Sequence, residues 1–294
     1  MITENDFVHP EDAAALRNME AIPGFGMAVK TLMKYYNERL FHGVYLASTV
    51  RLSNMQLPEI YNKIVPICRK LDIDVPEFYL EMDPNPNAFT MGDTKPMVVV
   101  TSGLLDSMDD GEVSAVLAHE CGHIVCHHVL YHTLAQMLMS GAIGLIGDIL
   151  KPVAYALLYW SRKSELSADR AGVIASGGGP KEMIESMLRL AGGPKRITEK
   201  ISIQEFIRQA DEYEELQNNS SWDKFLQLTK IIDLDHPFVA VRVREMVKWS
   251  ESEQYKELMQ RINAEESGNI CPDCGKTLEP DWTFCKYCGH KLKQ

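Results

Sequence analysis

Residues 119–123 read His-Glu-Cys-Gly-His, and no other segment restricts the folding of this chain as much. On a helix the two histidines lie four residues apart on one face, where both imidazoles can reach a single ion. The flanking residues provide that helix. Asp109 is placed to cap it, with Glu112 at its third position in an acidic form of the capping box, and Val113, Val116, Leu117 and Ile124 recur at helical spacing around His119 and His123. The segment therefore predicts a central helix with Glu120 projecting beside the histidine pair.

Two histidines leave a catalytic zinc short of the three protein ligands it normally takes. Glu165 is the best downstream candidate for the third. The run Glu165-Leu166-Ser167-Ala168-Asp169 sets two carboxylates at i and i+4, on a predicted helix whose Ala168, Ala171 and Gly172 are small enough for close helix–helix approach. Glu165 would ligate the metal, and Asp169 would accept a hydrogen bond from a ligand imidazole. Taken alone, such a pair reads as a solvated face; beside the histidine helix it gains a function.

The remaining chain reads as α+β, mostly helical, with a small β-sheet. Helices are predicted over 10–20, 28–40 and 57–70, the last kinked at Pro66, with a break at Ile22-Pro23-Gly24. The period then changes: 77–81 and 96–101 read as strands around a turn-rich loop at 83–87. Between Val129 and Gly147 no residue carries a formal charge, and a second apolar run covers 152–160. A bilayer span needs about 20 apolar residues. The pair reads as a buried helical hairpin, with membrane contact through 129–160 as the alternative. Further helices are predicted over 164–172, 181–190, 202–216, 222–232 and 238–262, which divides the chain into a domain over 1–263, a polar linker over 264–270 and a cysteine-rich module over 271–294.

That module carries Cys271-Pro-Asp-Cys274 and Cys285-Lys-Tyr-Cys288, ten residues apart, each pair followed by glycine. It resembles a zinc ribbon. Four thiolates close a structural site, and so short a module could hardly fold without one, which brings the expected zinc count to two per chain. Its lysines are offset by Asp273, Glu279 and Asp281, so the ribbon reads as a protein-interaction or regulatory module. The formal net charge of −11 likewise argues against nucleic acid as a partner. Cys68, Cys121 and Cys126 show no disulfide-framework spacing and read as small buried hydrophobes. With no basic and apolar leader in the first residues, the expected location is cytoplasmic, with association to a membrane from the cytoplasmic side as the alternative.

Together, the HExxH and ExxxD helices resemble those of the gluzincin metallopeptidases of the HtpX and CAAX-prenyl-protease family. The likeness covers roughly 10–250 and includes Asn87-Ala88-Phe89-Thr90 and His236-Pro237 with Arg242. Unlike the membrane-embedded members, the N-terminal part shows no spans, which argues against a prenylated or membrane-buried substrate. The resemblance implies a zinc-dependent metalloendopeptidase acting on proteins or peptides, with Glu120 as general base. It also implies that Asn87, Ala88 and Phe89 hold the substrate in extended form, and that His236 donates a hydrogen bond to the developing oxyanion. An inactive peptidase fold acting as an adaptor through its ribbon is the competing reading.

Overall fold

The computed structural model describes residues 2–33, 36–92, 94–139, 147–177, 179–218, 238–266, 271, 273, 278–279 and 282–292. The sheet runs over β1 (Val50–Arg51), β2 (Glu77–Glu81), β3 (Ala88–Met91) and β4 (Met97–Thr101), in the order β1-β2-β4-β3. β4 lies parallel to β2 and antiparallel to β3, with Phe89 opposite Val99 and Thr90 opposite Val98. Its Met-Val-Val-Val-Thr sequence is buried throughout, as a strand covered on both faces must be. Val98 and Val100 face the main core with Phe78, whereas Val99 and Met97 join Tyr79 and Met91 on the other face.

Helices α1 (Pro10–Glu20), α2 (Phe25–Met33), α3 (Glu38–Ser48) and α4 (Pro58–Leu71) precede or interleave with the strands. The single helix expected over 28–40 is two: Tyr36 and Asn37 are not helical, and Asn37 caps α3 by accepting the Leu40 N–H. α4 continues through Pro66. After β4 come α5 (Ser102–Ser107), α6 (Asp110–Val125), α7 (Val129–Met139) and α8 (Gly147–Ala175). The runs expected as separate at 152–160 and 164–172 are one 29-residue helix, α8, which carries Pro152 within it.

α7 and α8 share an apolar cluster with α1 and α2. Leu134, Leu138, Leu157, Leu158 and Trp160 are buried there with Met19 and Leu32. The burial anticipated for 129–160 is present in both helices; residues 140–146, between them, lie outside the described residues. Among the described residues no helix is long and apolar enough to cross a membrane.

Among the described residues, α9 (Pro180–Gly192), α10 (Lys195–Thr198), α11 (Ile203–Asn218), α12 (Val239–Ser250) and α13 (Glu253–Glu266) follow. The expected run over 238–262 is broken between α12 and α13, and α13 continues into the stretch anticipated as a linker. The helix expected over 222–232 lies outside the described residues. The main core fills the space between the sheet and α4, α6, α9 and α12, with Ile64, Leu117, Met183 and Val243 at its centre. Cys68, Cys121 and Cys126 are buried, as their sequence context suggested.

Candidate active site

α6 begins as its sequence dictates. Asp109 accepts the N–H groups of Gly111 and Glu112 at 3.1 and 3.0 Å, while the Glu112 carboxylate accepts the Asp109 N–H at 2.8 Å. From Val113 the helix runs through the core, so His119, Glu120 and His123 are each under 5% exposed. α8 crosses it at very short range. A Cβ built on Gly122 would lie 2.6 Å from the Ala171 Cβ and 3.1 Å from the Ala168 Cα, so glycine is what allows the approach. The small residues anticipated at 168 and 171 are the other half of that contact.

This crossing brings three donor groups together. His119 Nε2 and His123 Nε2 are 3.2 Å apart, and the Glu165 carboxylate oxygens lie 3.6 Å from the first and 3.4 Å from the second. Around a zinc with bonds of about 2.0–2.1 Å, tetrahedral ligand atoms are separated by about 3.3–3.4 Å. The donor set fits zinc in kind and in spacing. Burial pushes the His123 imidazole below its usual pKa despite the carboxylate beside it, which favours the neutral form that binds metal.

Asp169 sits one turn beyond Glu165, where its Oδ1 is 3.0 Å from His119 Nδ1. A carboxylate only accepts, so His119 donates from Nδ1 and its Nε2 lone pair faces Glu165. Burial alone would raise the Asp169 pKa, but the Arg242 charge, its hydrogen bonds and His119 outweigh it and hold the carboxyl low. Arg242, from α12, donates from Nε to Asp169 Oδ2 at 2.8 Å and from a terminal nitrogen to Oδ1 at 2.5 Å. Its other terminal nitrogen lies 2.9 Å from Glu165 Oε2. Burial disfavours the guanidinium charge, yet the carboxylates of Asp169 and Glu165 pin it on more firmly than usual.

Glu120 is held by the sheet. The Thr90 hydroxyl donates to Glu120 Oε2 at 2.7 Å. β3 forms the edge of the sheet, and its alternation turns Thr90 toward α6 and Phe89 to the opposite face, where its ring lies 6.3 Å from Tyr45. Ala88 is buried on the Thr90 face, and Asn87 precedes the strand with its main chain bonded to Thr101. Sequence reasoning quoted Thr90 and Arg242 without giving either a role. The signals were present: strand period places Thr90 opposite Phe89 in facing, and two buried carboxylates demand a cation. His236 lies outside the described residues.

In the C-terminal module the sulfurs of Cys271, Cys285 and Cys288 converge, with Cys271 and Cys288 3.5 Å apart. Thiolates around a zinc with bonds of about 2.3 Å are separated by about 3.8 Å, so this donor set also fits zinc. Cys274 lies outside the described residues.

Comparisons with known proteins agree with this geometry. Residues 52–250 match the model of peptidase family M48, and 267–292 match a zinc-ribbon domain. The chain is 31% identical over 265 residues to the plastoglobule-localized metallopeptidase 48 of Arabidopsis thaliana, covering 88% of this chain and 76% of that protein. It is 34% identical over 133 residues to a protease HtpX homolog of Tropheryma whipplei, across 45% of this chain and 44% of that one. A protease HtpX homolog of Dictyoglomus thermophilum is 36% identical over 122 residues, 41% of this chain and 39% of its own. The shared stretches thus span less than half of these two HtpX homologues. With a buried histidine pair and glutamate on crossed helices, and a family match over two thirds of its length, the chain belongs to peptidase family M48, as a zinc metallopeptidase carrying a zinc ribbon.

Proposed function

We propose that His119, His123 and Glu165 hold the catalytic zinc and that Glu120 is the general base for peptide-bond hydrolysis in protein or peptide substrates. The carrying observation is the convergence of three donors, 3.2, 3.4 and 3.6 Å apart, beside a carboxylate held by Thr90. When bound, zinc supplies Lewis acidity, lowering the pKa of a water and polarising the scissile carbonyl. Glu120 accepts a proton from the attacking water and returns it to the leaving amine. With Thr90 engaging Oε2, Oε1 is the oxygen turned to that task. Asp169 orients His119, and Arg242 offsets the charge of both carboxylates.

An extended substrate pairs its main chain with the edge strand around Asn87, Ala88 and Phe89, a reading supported by the position of β3 beside α6. The Phe89 side chain faces away from Glu120, so its part is played by the backbone. His236 supplies the oxyanion donor, on the strength of its sequence position alone. The domain over 1–263 holds this centre, while Cys271, Cys274, Cys285 and Cys288 hold a second, structural zinc in a ribbon over 271–294 that docks a protein partner. The buried, unbridged Cys68, Cys121 and Cys126 support a cytoplasmic location. An inactive adaptor is disfavoured because no ligand or base is missing.

Glu120→Gln in the full chain tests the assignment. Casein cleavage should vanish while the zinc content stays, because Glu120 is a base and not a ligand. Activity within about tenfold of wild type would refute it.

A further inference from the structure

The orientation of the second histidine is set from outside the family-matched region. Asp12, in the first turn of α1, is 2% exposed and meets three partners. Trp160 Nε1 donates to its Oδ1 at 2.9 Å, the Ser167 hydroxyl donates to Oδ2 at 2.5 Å, and His128 Nε2 lies 3.1 Å from Oδ2. Burial works against a charge here, but these contacts outweigh it and hold the Asp12 carboxyl below its usual range, so it is an acceptor only. Across the His128 ring, Nδ1 lies 3.1 Å from His123 Nδ1. His128 is itself buried, just after α6, where His127 takes left-handed backbone (φ 57) and turns the chain toward α7.

The protons along this row follow from its end. A carboxylate cannot donate, so His128 donates from Nε2. With that proton committed to Asp12, the His128 Nδ1 lone pair accepts from His123 Nδ1–H. His123 is left with its lone pair on Nε2, the atom that faces His119 and Glu165. We propose that Asp12 and His128 are positioning residues of the metal centre: through His128, α1 fixes the tautomer of His123 as Asp169 does directly for His119. The two ligand imidazoles are thus each governed by a buried aspartate, one in contact and one through a relay. This rests on His119, His123 and Glu165 being the zinc ligands.

Asp12→Asn discriminates, because the Trp160 N–H pins the amide oxygen at Oδ1 and turns the NH2 toward His128 Nε2. Every donor and acceptor on the row then reverses, and His123 meets the metal with N–H instead of a lone pair. Cadmium NMR of the full chain separates a nitrogen–oxygen centre from the thiolate-rich ribbon, and competition with a chelator reads the affinity of each. The nitrogen–oxygen centre should weaken by about 10–100-fold in Asp12→Asn, the ordinary effect of losing an outer partner of a ligand, with the ribbon resonance unchanged. His128→Leu should weaken it similarly, and His128→Gln, whose side-chain oxygen can accept from His123, should recover most of that loss. Affinity within about threefold of wild type in folded Asp12→Asn would overturn the proposal, as it would in His128→Leu if Asp12→Asn does not fold. So would a third resonance, showing that His123, His128 and His132, whose ring nitrogens also cluster, bind an ion of their own. A wild-type chain with only the ribbon resonance would instead refute the zinc assignment itself.

Discussion

Gly122→Ala puts the helix crossing to the test. The new methyl would lie 2.6 Å from the Ala171 Cβ and 3.1 Å from the Ala168 Cα, against about 3.5–4.0 Å for comfortable carbon contacts. α8 must then retreat from α6 by about 1 Å. For stability two effects oppose: alanine gains about 1 kcal/mol over glycine inside a helix, and overpacking costs about 1–3 kcal/mol. The net loss is about 0–2 kcal/mol. Activity has no such compensation. The histidines ride on α6 and Glu165 on α8, so separations of 3.4 and 3.6 Å would open, and a misplacement of about 1 Å costs about 10²-fold. The variant should lower its urea midpoint by no more than about 1 M, while kcat/KM on a peptide falls about 10²-fold. Adding Ala171→Gly removes the closest contact and should restore much of the activity, a coupling that a double-mutant cycle reads directly. A Gly122→Ala enzyme within about threefold of wild-type kcat/KM would refute the crossing as the source of the site's geometry.

Glu165→Ala should lose the catalytic zinc and keep the ribbon zinc, measured as metal content of the purified chain; full content would require another carboxylate as the third ligand. His236→Ala should lower kcat by about 10²–10³ with KM and zinc content little changed, and an unchanged kcat would rule out the oxyanion role. Stability should also fall on mild acidification. Burial, then the Arg170 charge, push the His9 imidazole below its usual pKa, and its Nδ1 caps α1 by accepting the Glu11 N–H, a bond only the neutral ring can make. The folded value lies below the unfolded one, so this contribution is whole above about pH 6.5 and lost as pH falls below it. Urea midpoints should decline between about pH 7.5 and 5.5, and His9→Asn, which still caps the helix, should make the slope shallower; an equal slope would count against it.

What was legible in the sequence was whatever local chemistry decides. The Asp109 cap, the buried α6 and the strand at 77–81 follow from capping, period and turn residues within a few positions of themselves. The meeting of Glu165 and Asp169 with the histidines could be anticipated because their spacing answers a need set by that pair. The boundaries that failed did so where a local signal competes with packing. The Arg162-Lys163 pair interrupts the apolar pattern of α8 without ending the helix, because its other faces stay buried against α1, α6 and α7. Asn37 instead caps a new helix within a run that looks continuous. Thr90, Arg242 and Asp12 acquire their roles from partners 30 to 116 residues away, and one-dimensional spacing does not record those meetings.

Arg242 bears on when this centre comes into being. It sits on the last but one of the described helices, 73 residues after Asp169, with which it shares two hydrogen bonds. Until α12 docks, the interior would hold the carboxylates of Glu165 and Asp169 without their guanidinium, an arrangement that resists burial. On the proposed ligand set, closure of the metal centre therefore waits on the docking of α12. A fragment ending before α12 contains His119, Glu120, His123 and Glu165, yet lacks the cation that lets the buried carboxylates come together, so the centre proposed on those residues should stay open until α12 has been made and has docked.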